Sequence, residues 1–483
     1  MKSKSFLDPV HGYINIPEDI CDKIIDTANF QRLRRVEQTS ARTLFPGARH
    51  DRFIHSLGVY HIGCKISRHI VQNSENLQSV QNLETIVKSY ELACLLHDCG
   101  HAPFSHTFES YYDSNSILST VLKECYDDEY FTQDLEGPLM PAAPHEILSA
   151  IIVLKVYSKT ICELGGDPQL VARMITGYRY MAEDDKGIEN CFISLLNGQV
   201  IDADRIDYVC RDRWASGYKA NTLDIERLVG AMSICKHDNK DIVCFNKGAM
   251  YEIQSVIDMK DFQQMYVFTH HKIVYDQFIL KKAIEEVAMF LSPNEDSITA
   301  LNMLFNYNTM LETVNLATCK IYLPADDDLV FLMKQCLITK NNSEEHSYAK
   351  EWLNREHVLI PLWKSQAEFL SFFDGILPDH LTEAGWLFKR SGDVIQKFIK
   401  DEFPNRKLPN CIFSKATPKI KIIKPNQIHV KIGNKLVCYS KLITMTKKQV
   451  IDFFFYIFVP AEIKPRKLEL IEHLVSHMKR INQ

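Results

Sequence analysis

Apolar residues recur at helical spacing through most of the first 290 residues. Ile20 to Val36 reads as a helix, with Pro17 suited to its leading turn. Phe53 to Val71 reads as a second. Leu83 to His97 reads as a third, punctuated by Gly100 and Pro103. Another begins at His145, after the proline-rich approach of Pro138, Pro141 and Pro144, and Cys191 to Val209 continues the helical pattern. Tyr251 to Leu291 is long enough for one long helix or two in tandem. After about Ser292 the character changes. Helical stretches recur near Asp328–Lys340 and Leu381–Asp401, but between Lys419 and Leu442 apolar and polar residues alternate, which predicts a hairpin turning at Gly433-Asn434. A last helix is expected over Arg466 to Arg480. The spacing thus predicts a mainly α chain. Residues 1–290 would form a helical core, and residues 291–483 a smaller α+β lobe that packs on the core and takes part in oligomerisation.

The 483 residues are 46% hydrophobic and 24% charged, enough for a large core and without low-complexity runs. No apolar run reaches bilayer-spanning length and the start, MKSKSFLDPVHG, lacks a signal-peptide core, so a soluble, cytoplasmic or otherwise intracellular protein with no membrane partner is expected. The 14 cysteines include no CxxC and sit among apolar neighbours, as reduced core thiols do. The net charge of −5 is split: from Asp401 onward 16 Lys/Arg face 6 Asp/Glu. A basic C-terminal part fits either an anionic partner such as nucleic acid or a solvated face.

The candidate chemistry lies where polar residues interrupt the apolar helices. RFIHSLGV, LACLLHDCGHAPFSH and VIDADRIDY supply His55, His97-Asp98 and Asp204. Imidazole and carboxylate together are a ligand set for a divalent metal (Mn, Fe, Zn or Mg), and burying them without compensation would be expensive. Neighbours such as His97 and Asp98 diverge on a regular helix, so both face one ion only if the helix ends there, and Cys99-Gly100 offers the break. A second group, His101, His106 and Glu109, follows at three- and four-residue spacing, with His145 as a further candidate. Hydrolysis of a phosphate ester needs a proton donor for the leaving oxygen and an orienter for the attacking water. Arg52, Arg205 and Lys272 supply cations for phosphates, and Tyr208 and Tyr266 suit stacking on a sugar or base. Arg211 and Asp212 fit a site role or a structural ion pair equally.

These blocks, with DPVHGYINI, IIDTANFQRLRRVEQ, LFPGARHDRFIHSLGV, VIDADRIDYVCRD and HHK, resemble the dNTP triphosphohydrolases of the HD superfamily. That group includes the bacterial deoxyguanosine triphosphatases and the enzymes that join a sterile alpha motif to an HD domain. The likeness runs from near Lys4 to about residue 290, with no sterile alpha motif expected before it. It implies an HD-domain helical core and hydrolysis of a dNTP to deoxynucleoside and intact triphosphate. His55, His97, Asp98 and Asp204 would bind the metal, with a second Mg accompanying the nucleotide. His101, Glu109 and His145 would line the catalytic centre, with His106 as proton donor. Arg52 and Arg205 would contact phosphates, and Gln38, Tyr208 and Asp212 would face the sugar. Some members are activated by a nucleotide bound between subunits of a dimer or tetramer. Lys4, Asp26, Gln31 and Arg34 match positions of that allosteric site, though as residues alone they also read as an ordinary solvated face. The chain departs from the pattern at Leu7, Thr39-Ser40, Lys260-Asp261 and Gln263-Gln264. Two other readings stay open at this point: an HD-type phosphodiesterase or nuclease acting on nucleic acid or a signalling nucleotide, and a nucleotide-sensing assembly protein with a vestigial centre.

Overall fold

The computed structural model describes residues 2–483 apart from 76, 112–114, 127–130, 132–133, 135–141, 182, 199–200, 219–222, 312, 316–319, 340–345, 374–383, 405–407, 416–426, 434, 444–453 and 482–483. Among these the chain is mainly helical. It divides into two compact units, one of Met1–Asp261, Val287–Cys336 and Lys421–Met445, the other of Phe262–Glu286, Leu337–Ile420 and Thr446–Gln483. This differs from one cut at residue 290, because chain from both sides of that point returns to each unit.

In the first unit, helix Arg52–Asn73 is packed by helices Leu83–Leu96 and Ala203–Ala215. Its burial is not confined to a stripe: Phe53, His55, Leu57, Val59, Tyr60, Ile62 and Ile66 are all buried. A helix covered on most sides belongs at the middle of a core. Leu83–Leu96 is likewise closed over, with Leu92 to Leu96 fully buried, and Pro168–Thr176 and Glu183–Leu196 pack on it. No described helix is long and apolar enough to cross a membrane.

Several expected elements take another form. Ile20–Val36 is broken into Glu18–Ile20, a π turn Cys21–Ile25, Ala28–Gln31 and a 3-10 turn Arg32–Arg35. Thr27, with φ −89° and ψ 153°, interrupts it, and its hydroxyl donates to the Ile24 carbonyl at 2.6 Å, competing with helical continuation. Tyr251–Leu291 is the tandem alternative: Met250–Phe262, a π turn Gln263–Phe268, then His271–Leu291. Among the described residues, three antiparallel pairs escaped the pattern: Ser3–Asp8 with Gly12–Pro17, Met232–His237 with Lys240–Asn246, and Thr313–Asn315 with Lys320–Tyr322. The hairpin His429–Ile432 with Lys435–Cys438 does form, Asn434 of its turn lying outside the described residues. It belongs to the first unit, where His429–Ile432 pairs parallel to Lys240–Asn246 and completes a four-stranded sheet.

The second unit is built on a three-stranded antiparallel sheet with Phe455–Pro460 between Leu359–Pro361 and Ile412–Lys415. The unbroken apolar run FYIFVP is buried at every position, as befits a strand covered on both faces. Buried residues of helices Gln366–Phe373, Ala384–Glu402 and Lys467–Ile481 join this strand in one hydrophobic core. At its centre the fully buried Trp363 is ringed by Phe369, Phe373 and Phe455, and its indole N–H donates to the Phe455 carbonyl at 2.8 Å. Trp363→Ala is expected to destabilise this unit by about 3–5 kcal/mol, read as a shift of its denaturant midpoint.

Candidate metal centre

His55 stands in the first turn of helix Arg52–Asn73, whose N-cap Asp51 accepts the Ile54 N–H at 2.9 Å. His97 is the residue at which Leu83–Leu96 ends, and Asp98 follows in the turn, so the two neighbours point to one place as the sequence required. Gly100 serves there by a different means than expected. It has no left-handed backbone. Instead, a β-carbon on it would overlap the backbone of Leu148 and Ser149, so glycine lets helix Pro144–Ile152 lie against the turn. That approach brings His145 to His101, ring on ring, with centroids 4.0 Å apart. Asp204 comes from the first turn of Ala203–Ala215, capped by Asp202.

The four expected ligands converge. His55 Nε2 lies 3.0 Å from Asp204 Oδ1 and 3.5 Å from Asp98 Oδ2. His97 Nε2 lies 3.3 Å from His55 Nε2, 3.5 Å from Asp98 Oδ2 and 3.6 Å from Asp204 Oδ1. Ligand atoms about 2.1 Å from one ion stand roughly 3.0–3.4 Å apart at octahedral and tetrahedral angles. The separations therefore suit a divalent ion held by His55, His97 and Asp98, whose donor atoms all lie within 4.8 Å of one another, with Asp204 Oδ1 beside both rings. The outer nitrogens agree: His55 Nδ1 is bonded to Asp207 Oδ2 at 2.7 Å and His97 Nδ1 to the Cys94 carbonyl at 3.0 Å, which leaves both Nε2 atoms for the ion. Burial opposes charge on His55, but Asp204 and Asp207 hold its imidazole protonated up to about 10 in the absence of an ion. Burial likewise works against the carboxylates of Asp98 and Asp204. Arg52, His97 and His101 keep the first well below the usual range, and His55 and His97 lower the second.

A second set, His101, His106, Glu109 and His145, also brings its donor atoms within 4.8 Å of one another. Here one carboxylate oxygen already serves two rings, since Glu109 Oε1 bonds His106 Nδ1 at 3.0 Å and also His145 Nδ1. Burial opposes the Glu109 charge, but the two imidazoles hold its carboxyl well below the usual range; burial opposes the His145 charge, which Glu109 favours. Buried His101 is pushed well down by desolvation, Arg52 and His145, so it is neutral. His106 is the exposed member, at 59% of its side chain. The arrangement is that of an acid/base group beside a metal group.

The expected substrate cations are already engaged. Arg52 Nη1 donates to Asp98 Oδ2 at 2.6 Å and its Nη2 to the Gln38 carbonyl at 3.3 Å. Arg205 pairs with Asp202 at 3.0 Å. Gln38 is buried, and its Oε1 has no hydrogen-bond partner among the described residues. Tyr208 is half-buried, and burial pushes its phenol up. Asp212 bonds His50 Nε2 at 2.7 Å and is not the partner of Arg211. Tyr266 and Lys272 stand at exposed positions of the second unit. The expected allosteric residues fall into two surface pairings: Lys4 Nζ reaches Asp22 at 2.6 Å and Asp26 at 3.0 Å, and Arg34 Nε donates to Gln31 Oε1 at 2.9 Å.

Asp207 is the supporting residue of this candidate centre that the sequence reading passed over, together with its partners Asp8 and His11; Arg211, its third partner, forms a structural ion pair with it rather than with Asp212. Asp207 accepts His55 Nδ1, His11 Nε2 at 2.6 Å, and Arg211 Nε and Nη2 at 2.7 and 2.9 Å. Arg211 in turn reaches Asp8 at 2.8 Å. The signal was present, an Asp and an Arg four residues apart on a helix that begins with a ligand.

Comparison with known proteins places part of the chain in a known family. Residues 52–160 match the HD domain family. The chain is 26% identical over 386 residues to the uncharacterized protein YwfO of Bacillus subtilis, covering 80% of this chain and 77% of that protein. It is 32% identical over 252 residues to the deoxynucleoside triphosphate triphosphohydrolase SAMHD1 of Gallus gallus, half of this chain but 38% of that protein. Its fold resembles that of a phosphohydrolase from Bacteroides thetaiotaomicron, at a TM-score of 0.59 and 17% identity, over 95% of this chain and 99% of that one.

Asp207→Asn is expected to weaken Mn²⁺ binding about 10–100-fold in an equilibrium titration, because His55 loses the charge that orients and polarises it. Gly58→Ala would drive a β-carbon into Asp207 and Arg211, and is expected to lower the first unit's stability by about 1–3 kcal/mol on chemical denaturation.

Proposed function

We propose that this HD-domain protein, related in sequence to the SAMHD1 triphosphohydrolases, is a metal-dependent phosphohydrolase that splits a deoxynucleoside triphosphate into deoxynucleoside and inorganic triphosphate. The observation that carries the reading is the convergence of His55, His97, Asp98 and Asp204 beside an imidazole–carboxylate group. A divalent ion held there supplies Lewis acidity toward a phosphate oxygen and toward water. The protein's own residues do the rest. Asp207 and the Cys94 carbonyl hold the two ligand rings in one orientation. Glu109 fixes His106 by Nδ1, leaving Nε2 to meet a leaving group. As water attacks the α-phosphorus, the bond from that phosphorus to O5′ breaks. His106 gives its proton to O5′, and the proton lost by water replaces it.

The specific substrate, the roles of Gln38, Tyr208, Asp212, Tyr266 and Lys272, and the second Mg belong to this proposal. So do homo-oligomer formation and activation by a nucleotide at Lys4, Asp26, Gln31 and Arg34. These surface pairings join cations with carboxylates and with an amide, residue types suited to a nucleotide's phosphates and base edge.

Purified protein incubated with each dNTP and Mn²⁺ or Mg²⁺ is expected to release inorganic triphosphate. His97→Ala and Asp98→Asn should abolish it, and His106→Ala should lower kcat about 10²–10⁴-fold. Release of 5′-mononucleotides from single-stranded nucleic acid, with every dNTP left intact, would replace this reading by the nuclease one.

A further inference from the structure

One buried carboxylate outside the ligand set is bonded to two backbone segments that flank it. Asp326 opens helix Asp326–Thr339. Its Oδ1 accepts the Phe104 N–H at 2.6 Å and its Oδ2 accepts the Glu37 N–H at 2.9 Å. Phe104 and Ser105 are successive non-glycine residues with φ of 57° and 48°, in the turn between His101 and His106. Side-chain-bearing residues keep such a backbone only where their surroundings over-determine it.

From this turn a chain of bonds leads to the ligands. The Ser105 hydroxyl donates to the Glu37 carbonyl and accepts Arg52 Nε at 3.0 Å. Arg52 Nη1 reaches the ligand oxygen Asp98 Oδ2. Close by in sequence, the Pro324 carbonyl accepts Arg32 Nη1 at 3.2 Å, and Arg32 Nη2 donates to the carbonyls of Cys99 and His101 at 2.9 and 2.7 Å. Residues 324–326 thus tie down both ends of the loop that carries His101 and Asp98. Burial pushes the Asp326 carboxyl up to about 6, and the two backbone N–H groups oppose that rise.

We propose that Asp326 is a positioning residue of the metal centre: by holding the left-handed Phe104-Ser105 turn and the Glu37 backbone together, it sets Arg52 against Asp98 and places His106. The effect on rate rests on the proposed phosphohydrolase reading, whereas the effect on the ion does not. A carboxylate is required because two separate N–H donors need two acceptor oxygens. An amide offers one oxygen and would turn an N–H₂ toward the other donor.

The test compares Asp326→Asn with Asp327→Asn, its exposed neighbour on the same helix. Amide exchange, Mn²⁺ affinity by electron paramagnetic resonance and steady-state dNTP hydrolysis are measured in both. In Asp326→Asn, peptides spanning 37 and 104–106 should exchange faster. Mn²⁺ should bind about tenfold more weakly, and kcat should fall about tenfold or more with little change in KM. Asp327→Asn should match the wild type. Should Asp326→Asn fail to fold, Ser105→Ala breaks the same chain at its middle and should weaken Mn²⁺ and lower kcat alike. Wild-type Mn²⁺ affinity in whichever of these two variants folds, or equal losses in Asp327→Asn, would overturn the proposal. If the wild type cleaves no dNTP while Asp326→Asn still weakens Mn²⁺ binding, the positioning role stands and the triphosphohydrolase reading falls.

Discussion

The candidate centre depends on a carboxylate that is not itself a ligand. Asp207 is fully buried, yet it carries full charge, since burial is outweighed by Arg211, His11 and His55. Four donor atoms occupy its two oxygens. Burying one ion costs several kcal/mol, and a buried pair offsets that cost only when its geometry and remaining hydrogen bonds are satisfied. Here they are, and the surplus is geometric: His55 can turn neither about its own axis nor toward solvent. Removing Asp207 would take a buried partner from His11, His55 and Arg211 at once, so the cluster acts as a unit.

Much of the centre was legible because ligation demands residue types that apolar helices otherwise exclude. His55, His97, Asp98 and Asp204 stood out as polar positions in buried patterns, and the structure brings them together. The supporting residues were harder to read. Asp207 and Arg211 look like an ordinary surface pair four apart on a helix, and nothing local says that their face is covered by the Asp8–His11 turn. Gly100 was read as a helix terminator, a local role. Its role is long-range, since what matters is the helix that presses on it. Arg52 was read as a phosphate contact, and its bond to Asp98 depends on a meeting of two helices that spacing cannot reveal.

The fold follows the same division. Long helices with strong periodicity, such as Arg52–Asn73 and Leu83–Leu96, form as expected. Residues 20–36 carry helical periodicity, but Thr27 and two irregular turns divide them, because hydroxyl bonding to the backbone competes with the helix there. The hairpin at 429–438 was visible in its alternation. Its parallel partner Lys240–Asn246 was not, because pairing across so long a separation leaves no local trace. The discontinuous units have the same cause.

Two kinds of histidine emerge from this geometry, and the difference is electrostatic. His55 and His97 each give Nδ1 to a fixed acceptor, so Nε2 is oriented and neither ring can relay a proton without breaking that bond. His106 and His145 instead share one oxygen of Glu109, a carboxylate held well below its usual range. Burial opposes the charged form of His145, and its pairing with Glu109 favours it. His101, stacked on His145 and crowded by Arg52, is kept neutral and separates the two groups. Burial and partner choice thus place five histidines in two candidate groups within a few ångströms, two beside Asp98 and Asp204 and two on Glu109, with His101 between them.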